Sequence, residues 1–313
     1  MNTTKRSMAF DFMSKRKVAM ALSITLVTIS IFSVFARGLN LGIDFTGGTL
    51  IELGFEKTVA PSVVRDVLSE SGFEDAIVQQ FGTSKELLIR IAPRDEMSSA
   101  EVSTKVLNVV HGAYPDEVDL RRVEFVGPQV GDELTEDGGI AMLIALGAIF
   151  IYVGFLRFEK RFAVGSVVAL MHDVILTLGF FSLLQLEFDL TVLAAVLAVI
   201  GYSLNDTIVV FDRIRENFRK MRKGTPIEIM NRSINQTLSR TIITSLTTLL
   251  VLIALFVLGG EIIHGFATAL IFGIVVGTYS SIFVASTTTL ALGVSKVDLM
   301  PVEKEGKEID ARP

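Results

Sequence analysis

Six long apolar stretches constrain the fold of this chain more than any other feature of its sequence. Each reaches or exceeds roughly the 17–25 residues with which a helix crosses the hydrocarbon core of a bilayer. Because lipid offers no partners for backbone N–H and C=O groups, such stretches predict membrane-spanning helices. The six predicted spans are residues 18–36, 139–156, 162–184, 190–211, 241–258 and 263–293.

The polar segment between the first two spans, residues 37–138, predicts one folded domain outside the membrane. Alternating apolar residues predict four strands, and helical spacing predicts two helices. Their order, β-α-β-β-α-β, is that of an α+β ferredoxin-like fold. In chain order, the six predicted elements are 48–55, 61–71, 77–81, 87–91, 98–110 and 118–126.

Three local signals support these elements. Pro61 suits the first turn of a helix. Ser98 and Glu101 have the spacing of a capping box. Residues 82–85 have the composition of a hairpin turn.

The distribution of Lys and Arg over the loops orients the predicted spans. Basic residues precede the first span and follow the second, fourth and sixth, whereas residues 185–189 and 259–261 contain none. The positive-inside rule then predicts that the segment 37–138 lies outside. The first span is longer than a signal-peptide core, so we interpret it as retained. The segments predicted to be cytoplasmic are 1–17, 212–240 and 294–313.

The loop 212–240 is predicted to contain an amphipathic helix. Thr225 and Glu228 form a capping-box signature around Pro226. The apolar stripe that follows predicts a helix in the membrane interface, leading into the fifth span. Orientation explains the basic residues of this loop, so we predict no nucleic-acid partner. The stripe consists of Ile227, Met230, Ile234 and Leu238.

The fourth span contains a carboxamide and a carboxylate, Asn205 and Asp206, before its apolar residues end. A carboxylate near a helix centre costs roughly 2.5–3.5 kcal/mol on insertion scales, so it needs a partner, water or a proton. Such a residue indicates either an ion or proton pathway or a hydrogen bond between helices. At 1.5 Å per residue from Leu190, Asp206 is expected roughly 24 Å along the helix, in the cytoplasmic third of the core.

Arg240 begins the fifth span at a similar depth, so a charge pair with Asp206 is geometrically reasonable. A pair that forms and breaks lets the carboxylate bind and release protons in turn. The alternative is an arginine that extends to the interface. Below Arg240, Thr244 belongs to a hydroxyl-rich face that either bonds neighbouring helices or lines a wet path.

The third and sixth spans carry two further candidate features. Asp173, beside His172, either joins the same relay or holds helices together, and both readings stay open. In the sixth span, Gly273, Gly277 and Ser281 recur every four residues, which predicts close packing against another helix.

Several classes of chemistry are excluded by residue types. The chain has no cysteine and only three histidines, without HExxH spacing, so we expect no metal site. No nucleotide-binding glycine motif is present, so we expect no cofactor and no hydrolytic enzyme. We therefore expect that the energy for its work does not come from a nucleotide that the protein binds itself.

Five motifs, in order, resemble the SecF family of the bacterial Sec protein-export machinery. The resemblance covers nearly the whole chain, with one departure: residues 155–159 are one residue longer than the common form. The motifs are 44–49, 123–128, 172–174, 201–213 and 239–245.

The resemblance implies a six-span half of a transporter of the RND superfamily, in the inner membrane, with residues 37–138 periplasmic. It implies a SecD-like subunit, the SecYEG channel and YajC as partners, and preproteins as substrates moved with the proton gradient. The conserved transmembrane Asp and Arg of the family fall on Asp206 and Arg240. The alternative function is a half-transporter that exports a small hydrophobic molecule or lipid. A purely structural assembly factor would leave Asp206 unexplained.

The predicted topology can be tested with reporter fusions. A fusion at Glu96 should report the outer side of the membrane and a fusion at Lys223 the cytoplasm, because the basic loops stay inside. A cytoplasmic signal from the Glu96 fusion would contradict the six-span arrangement.

Overall fold

The computed structural model describes residues 10–94, 97–114, 118–152, 159–221, 223–260 and 263–295. A short 3₁₀ turn, Met13–Lys15, precedes the first long helix. The helices are α1 (Arg16–Arg37), α2 (Ile43–Thr46), α3 (Pro61–Glu70), α4 (Ser99–Ala113), α5 (Pro128–Ile151), α6 (Lys160–Leu184), α7 (Leu190–Lys220), α8 (Pro226–Leu258), α9 (His264–Ser280) and α10 (Ser286–Ala291). The strands are β1 (Asn40–Leu41), β2 (Gly48–Phe55), β3 (Ile77–Phe81), β4 (Thr83–Ile91), β5 (Val118–Val126) and β6 (Glu187–Phe188).

The described residues contain six helices that are long and apolar enough to cross a membrane. They are α1, α5, α6, α7, α8 and the continuous unit of α9 and α10, which one π-helical turn, Ser281–Ala285, joins. Helix α7 packs against α6, α8 and α9, and α1 packs on α6. Helix α5 buries almost none of its surface within the chain. The packed centre of the membrane region is therefore built from α6, α7 and α9.

The segment between α1 and α5 forms the ferredoxin-like domain that the sequence predicts. Its four-stranded sheet has the order β3-β4-β2-β5, and every neighbouring pair is antiparallel. Helices α3 and α4 cover one face, where Val64, Val106 and Ile89 are fully buried in one apolar cluster. The predicted capping box at Ser98 and the proline in the first turn of α3 are both confirmed.

The predicted four-residue hairpin turn at 82–85 is wrong. Strand β4 begins at Thr83, and Phe81 pairs directly with Thr83 across Gly82. Gly82 has a φ of 64°, so one left-handed residue reverses the chain. The polar residues that resemble a turn instead extend β4 beyond its buried half, where they are exposed.

Several predicted span boundaries also differ from the structure. Helix α5 begins at Pro128 rather than at residue 139, because a proline after an extended Gly127 starts the helix within the polar segment. Helix α7 extends to Lys220 and α8 begins at Pro226, so the helix predicted within the loop 212–240 is continuous with the fifth span. The last helix ends at Ala291. Residues 153–158, which include most of the predicted longer motif, and the tail from 296 lie outside the described residues.

The amphipathic start of α8 packs part of its apolar stripe against protein. The capping box of Thr225 and Glu228 is present as predicted. Met230 and Ile234, however, are fully buried in a cluster with Phe211 and Ile214 of α7. An apolar stripe at helical spacing suits either lipid or another helix, so periodicity alone does not distinguish them.

A tight elbow connects the ferredoxin-like domain to the membrane region. Helix α2 ends at Thr46 and is followed by Gly47 and Gly48, whose φ angles are 66° and 122°. A Cβ on Gly47 would lie 2.9 Å from Cα of Pro128, and a Cβ on Gly48 would collide with the carbonyl oxygen of Ile91. The two glycines therefore let the start of β2 pass between the end of β4 and the start of α5.

We expect Gly48→Ala to destabilise the protein by about 1–3 kcal/mol, because it adds both backbone strain and a clash. Gly112→Ala is the matched control, since it lies within α4 with open space around its Cβ position. Thermal unfolding of the full chain in detergent should show a lower midpoint for the first variant only. Equal midpoints would contradict the role assigned to the elbow.

Candidate functional site

Helix α7 carries the predicted site along one buried face. The helix begins where the Asp189 side chain accepts a hydrogen bond from the Val192 N–H at 2.8 Å. Val199, Ser203 and Asp206 then recur at three- to four-residue spacing, and all are buried. The helical period thus turns Ser203 and Asp206 into the bundle, one above the other.

Asp206 is a buried carboxylate with an unsatisfied oxygen. The residue is only 3% exposed, and its Oδ2 has no hydrogen-bond partner among the described residues. The buried hydroxyls of Thr207 and of Thr241 on α8 also lack partners within the described part of the chain. An ionised carboxylate left without donors in an apolar surrounding is costly, so this group favours a proton or a polar partner.

Arg240 lies near Asp206 but does not form the predicted charge pair in this conformation. Its side chain is exposed at the α8 surface, and within the described residues no ion pair joins it to Asp206. The two charges nevertheless attract each other electrostatically. The carboxylate and the guanidinium are therefore adjacent and unpaired.

The structure does not bring the other two predicted relay residues to Asp206. Asn205 is exposed on a different face of α7. The Thr244 hydroxyl donates to two backbone carbonyl oxygens of its own helix, that of Arg240 at 3.0 Å and that of Thr241 at 2.9 Å. A hydroxyl that bonds its own helix is a common structural arrangement and shows no link to the carboxylate.

Asp173 is the second buried carboxylate, and it is fully bonded. Its Oδ2 accepts hydrogen bonds from Ser203 of α7 at 2.5 Å and from Ser280 of α9 at 2.7 Å. Its Oδ1 lies 2.8 Å from Nδ1 of His172. Asp173 has no exposed surface and joins three helices. Of the two readings left open by the sequence, this geometry favours the one in which Asp173 holds helices together.

Sequence reasoning missed Ser203 and Ser280 as the partners of Asp173. Both are hydroxyls within apolar stretches, where a polar side chain must find a partner. A carboxylate and two serines on three different spans would have been a usable signal. The π-helical turn begins directly after Ser280, at Ser281. Such turns often mark functional positions in helices.

The small residues of the last span pack against α7. A Cβ on Gly277 would lie 3.0 Å from Cβ of Ser203, and a Cβ on Gly273 would collide with the Val199 side chain. Ser281 is buried, and its hydroxyl donates to the Thr278 carbonyl at 3.0 Å. Gly277 lies one turn before Ser280, so close approach at this glycine allows both serines to reach Asp173.

The two carboxylates, Asp173 on α6 and Asp206 on α7, have different surroundings. Asp173 has two serine donors on one oxygen, whereas Asp206 has one oxygen without a partner in the described residues. The described residues contain no group of three or more His, Asp or Glu arranged to hold a metal ion. Reversible binding of a proton at Asp206 is the chemistry that this arrangement supports best.

Fold and site together define a six-span membrane protein with buried carboxylates among its spans and one ferredoxin-like domain between the first two spans. The family described as "Protein export membrane protein SecD/SecF, C-terminal" matches residues 105–295, and "SecD/SecF GG Motif" matches residues 32–59. The chain belongs to the SecD/SecF family. It is a multi-pass protein of the inner membrane, and the resemblance stated above is confirmed.

Two relatives show how far the similarity extends. The chain is 57% identical to "Protein translocase subunit SecF" of Vibrio alginolyticus, covering 99% of this chain and 98% of the relative. It is 47% identical to the protein of the same name from Escherichia coli O157:H7, covering 96% and 93%. Both names describe a translocase subunit.

The fold also matches a solved structure. The crystal structure of SecDF, "a translocon-associated membrane protein", from Thermus thermophilus is similar with a TM-score of 0.83 and 42% identity. The match covers 91% of this chain but only 39% of the SecDF chain. A second SecDF structure, in a "Super-membrane-facing form", is similar with a TM-score of 0.68. The predicted fold class, half of an RND-type transporter, is confirmed.

We expect Gly277→Leu to destabilise the chain by at least about 1–3 kcal/mol, the usual cost of overpacking, because it forces α9 away from α7. It should also break the hydrogen bonds of Ser203 and Ser280 to Asp173. Gly201→Leu is the matched control, because Gly201 lies on α7 with open space around its Cβ position. Thermal unfolding in detergent should separate the two variants, and equal stability would show that the contact is dispensable.

Proposed function

We propose that this chain is a proton-gradient-driven auxiliary subunit of the Sec translocase. Together with a SecD-like subunit, it promotes the export of preproteins across the inner membrane. The observation that carries the proposal is Asp206, a buried carboxylate with a free oxygen beside an unpaired Arg240. Membership of a protein-export family supplies the substrate class.

The proposed energy source follows from the position of the carboxylate. A charge that crosses the membrane potential gains about 2.3 kcal/mol per 100 mV. A carboxylate that alternates between a proton and an arginine changes the local charge at each step, so it can couple that energy to helix movement. We propose that Asp206 carries the proton, that Arg240 is the alternating partner, and that no bound cofactor takes part.

The proposed partner follows from the similarity to SecDF. The matched SecDF chain is more than twice as long as the part that this chain covers. We propose that a separate SecD-like chain supplies the other half of the transporter. Helix α8 offers a surface for it, because Leu246, Leu250 and Val257 are exposed along one face of that helix. The SecYEG channel and YajC are proposed as further partners.

The proposed orientation follows from the loop charges. The turn between α7 and α8 is cytoplasmic, both chain ends are cytoplasmic, and the ferredoxin-like domain is periplasmic. This orientation puts Asp206 nearer the cytoplasmic face and the elbow at Gly47 near the outer face.

We expect Asp206→Asn to abolish the stimulation of export by the proton gradient. The amide preserves size and hydrogen bonding but cannot bind and release a proton, so a packing role should survive and a relay should not. The measurement is preprotein translocation into inverted membrane vesicles, with and without a proton gradient, at matched protein levels. The variant should still co-purify with the SecD-like chain in mild detergent.

Three further variants make the result specific. Arg240→Met should also lose the stimulation, whereas Arg240→Lys, which keeps the charge, should retain more of it. Asp173→Asn should instead lower the thermal stability, because two serine donors lose part of their acceptor. Full gradient-dependent stimulation in Asp206→Asn would make Asp206 a packing residue and refute the proposal. Stimulation that survives a protonophore but disappears without sodium would assign the site to a different cation.

A further inference from the structure

A short parallel ribbon ties the outer ends of three membrane helices together. Strand β1 directly follows α1, and β6 connects α6 to α7. Asn40 pairs with Glu187 and Leu41 with Phe188, while the Gly42 N–H donates to the Phe188 carbonyl at 2.9 Å. Displacement of this ribbon therefore moves the outer ends of α1, α6 and α7.

One buried arginine of the ferredoxin-like domain contacts both strands of the ribbon. Arg90 lies on β4, a central strand of the sheet, and its side chain is only 7% exposed. Its Nη1 donates to the Leu41 carbonyl at 2.6 Å, and its Nη2 lies 3.5 Å from Oε2 of Glu187. The neighbours of Arg90 on the same face of the sheet, Leu50 and Leu88, are apolar. Arg90 thus serves the contact with the ribbon rather than the core of its own domain.

The contact between Arg90 and Glu187 is longer than an ordinary charge-assisted hydrogen bond. Charge-assisted N–H···O bonds are about 2.7–2.9 Å long, and this pair is wider. Nε and Nη2 of Arg90 have no hydrogen-bond partner among the described residues. A cavity of about 500 Å³ lies between the sheet and the ends of α6, α7 and α9. Glu187 lines this cavity, so a small movement of the domain can strengthen or break its contact with the partly satisfied Arg90.

Charged groups face Glu187 from every element around it. Asp44 also touches the start of α7, where its Oδ2 accepts from the Leu190 N–H at 2.9 Å. The charged and titratable groups around Glu187 are Arg90, Arg122, Asp44 and Asp189, and, on the same cavity wall, Glu124 and His264.

We propose that Arg90 and Glu187 form a proton-linked positioning contact that sets the orientation of the ferredoxin-like domain on the outer ends of the spans. The geometry points to this role because a single side chain of the domain reaches both the ribbon backbone and an ionisable group within it. The docked domain holds the ribbon, and the undocked domain releases it. This inference does not depend on Asp206 or on the proposed transport function.

The direction of the proton linkage follows from burial. Burial raises the pKa of Glu187 above its ordinary value, and the nearby Arg90 opposes that rise. When the domain lifts off, Glu187 becomes hydrated and its pKa returns toward the ordinary value. The docked state therefore binds the proton more tightly than the undocked state. Docking becomes stronger as the pH falls toward the ordinary Glu pKa, and weaker as the pH rises through the raised pKa.

The test uses two introduced cysteines, because the chain contains none of its own. Ser69 on α3 and Leu184 at the outer end of α6 are exposed and can carry spin labels. The distribution of distances between the labels, measured on the full chain in lipid nanodiscs, reports docking. We expect a narrow distribution at acidic pH that broadens toward neutral pH.

Three variants separate the proposed contact from general stability. Glu187→Gln cannot ionise, so its distribution should stay narrow at every pH. Arg90→Gln should broaden the distribution more at neutral than at acidic pH, because the lost cation matters only when Glu187 is ionised. Glu86→Gln is the control, since Glu86 lies on the same strand but pairs with Arg121 away from the ribbon. It should respond to pH as the unchanged chain does.

The proposal is overturned if Glu187→Gln keeps the pH response of the unchanged chain. It is also overturned if Arg90→Gln has the same effect at acidic and neutral pH, which a merely structural arginine would produce. Should Arg90→Gln fail to fold, Arg90→Lys replaces it. Lysine keeps the charge, so a pH response close to that of the unchanged chain supports the contact, and a lost response refutes it.

Discussion

The carboxylate of Asp173 joins α6, α7 and α9, and the arrangement of the membrane region depends on that junction. Little hydrophobic force drives helices together in lipid, so close packing and shared hydrogen bonds must hold them. Gly277 lets the backbones approach, and the approach brings Ser203 and Ser280 to one oxygen. Hydrogen bonds to a charged group contribute about 1.5–3 kcal/mol each, which is enough to define the register of three helices.

The hydrogen bonds of Asp173 provide a comparison for Asp206. It lies three residues after Ser203, about 4.5 Å further along the same helix face. If both carboxylates, Asp173 and Asp206, only held helices together, each would be expected to have a full set of hydrogen-bond donors. Only Asp173 does, while Asp206 keeps a free oxygen and an electrostatic neighbour that is not bonded to it. One carboxylate therefore fixes α7 in place, and the other can change its charge without dismantling the packing.

The sequence predicts the spans and the strand order well, because each depends on periodicity or length within one segment. The boundaries of the helices and the hydrogen-bond partners of the buried side chains depend on contacts with other segments. They are therefore harder to predict from the sequence. Pro128 starts α5 far ahead of its apolar residues, and Gly82 alone replaces a predicted four-residue turn. The stripe containing Met230 is the same pattern whether lipid or α7 covers it. Within the site, Asp206 stood out by its cost in lipid, whereas Ser203 and Ser280 became partners only through the packing of three helices.

Helix α7 links the outer contact to the buried carboxylate. Leu190, its first residue, is bonded to Asp44 of the elbow, and Glu187 precedes it in the ribbon that Arg90 touches. The helix is continuous from Leu190 to Lys220, so a displacement at its outer end reaches Asp206, roughly 24 Å away, with little loss to bending. The Asp173 junction lies between the ribbon and Asp206, where it holds α7 to α6 and α9. Helix α8, which carries Arg240, contacts α7 but is not bonded to Asp173 in the described residues. Helix α7 thus connects the ribbon that Arg90 contacts with the helix face that carries Asp206.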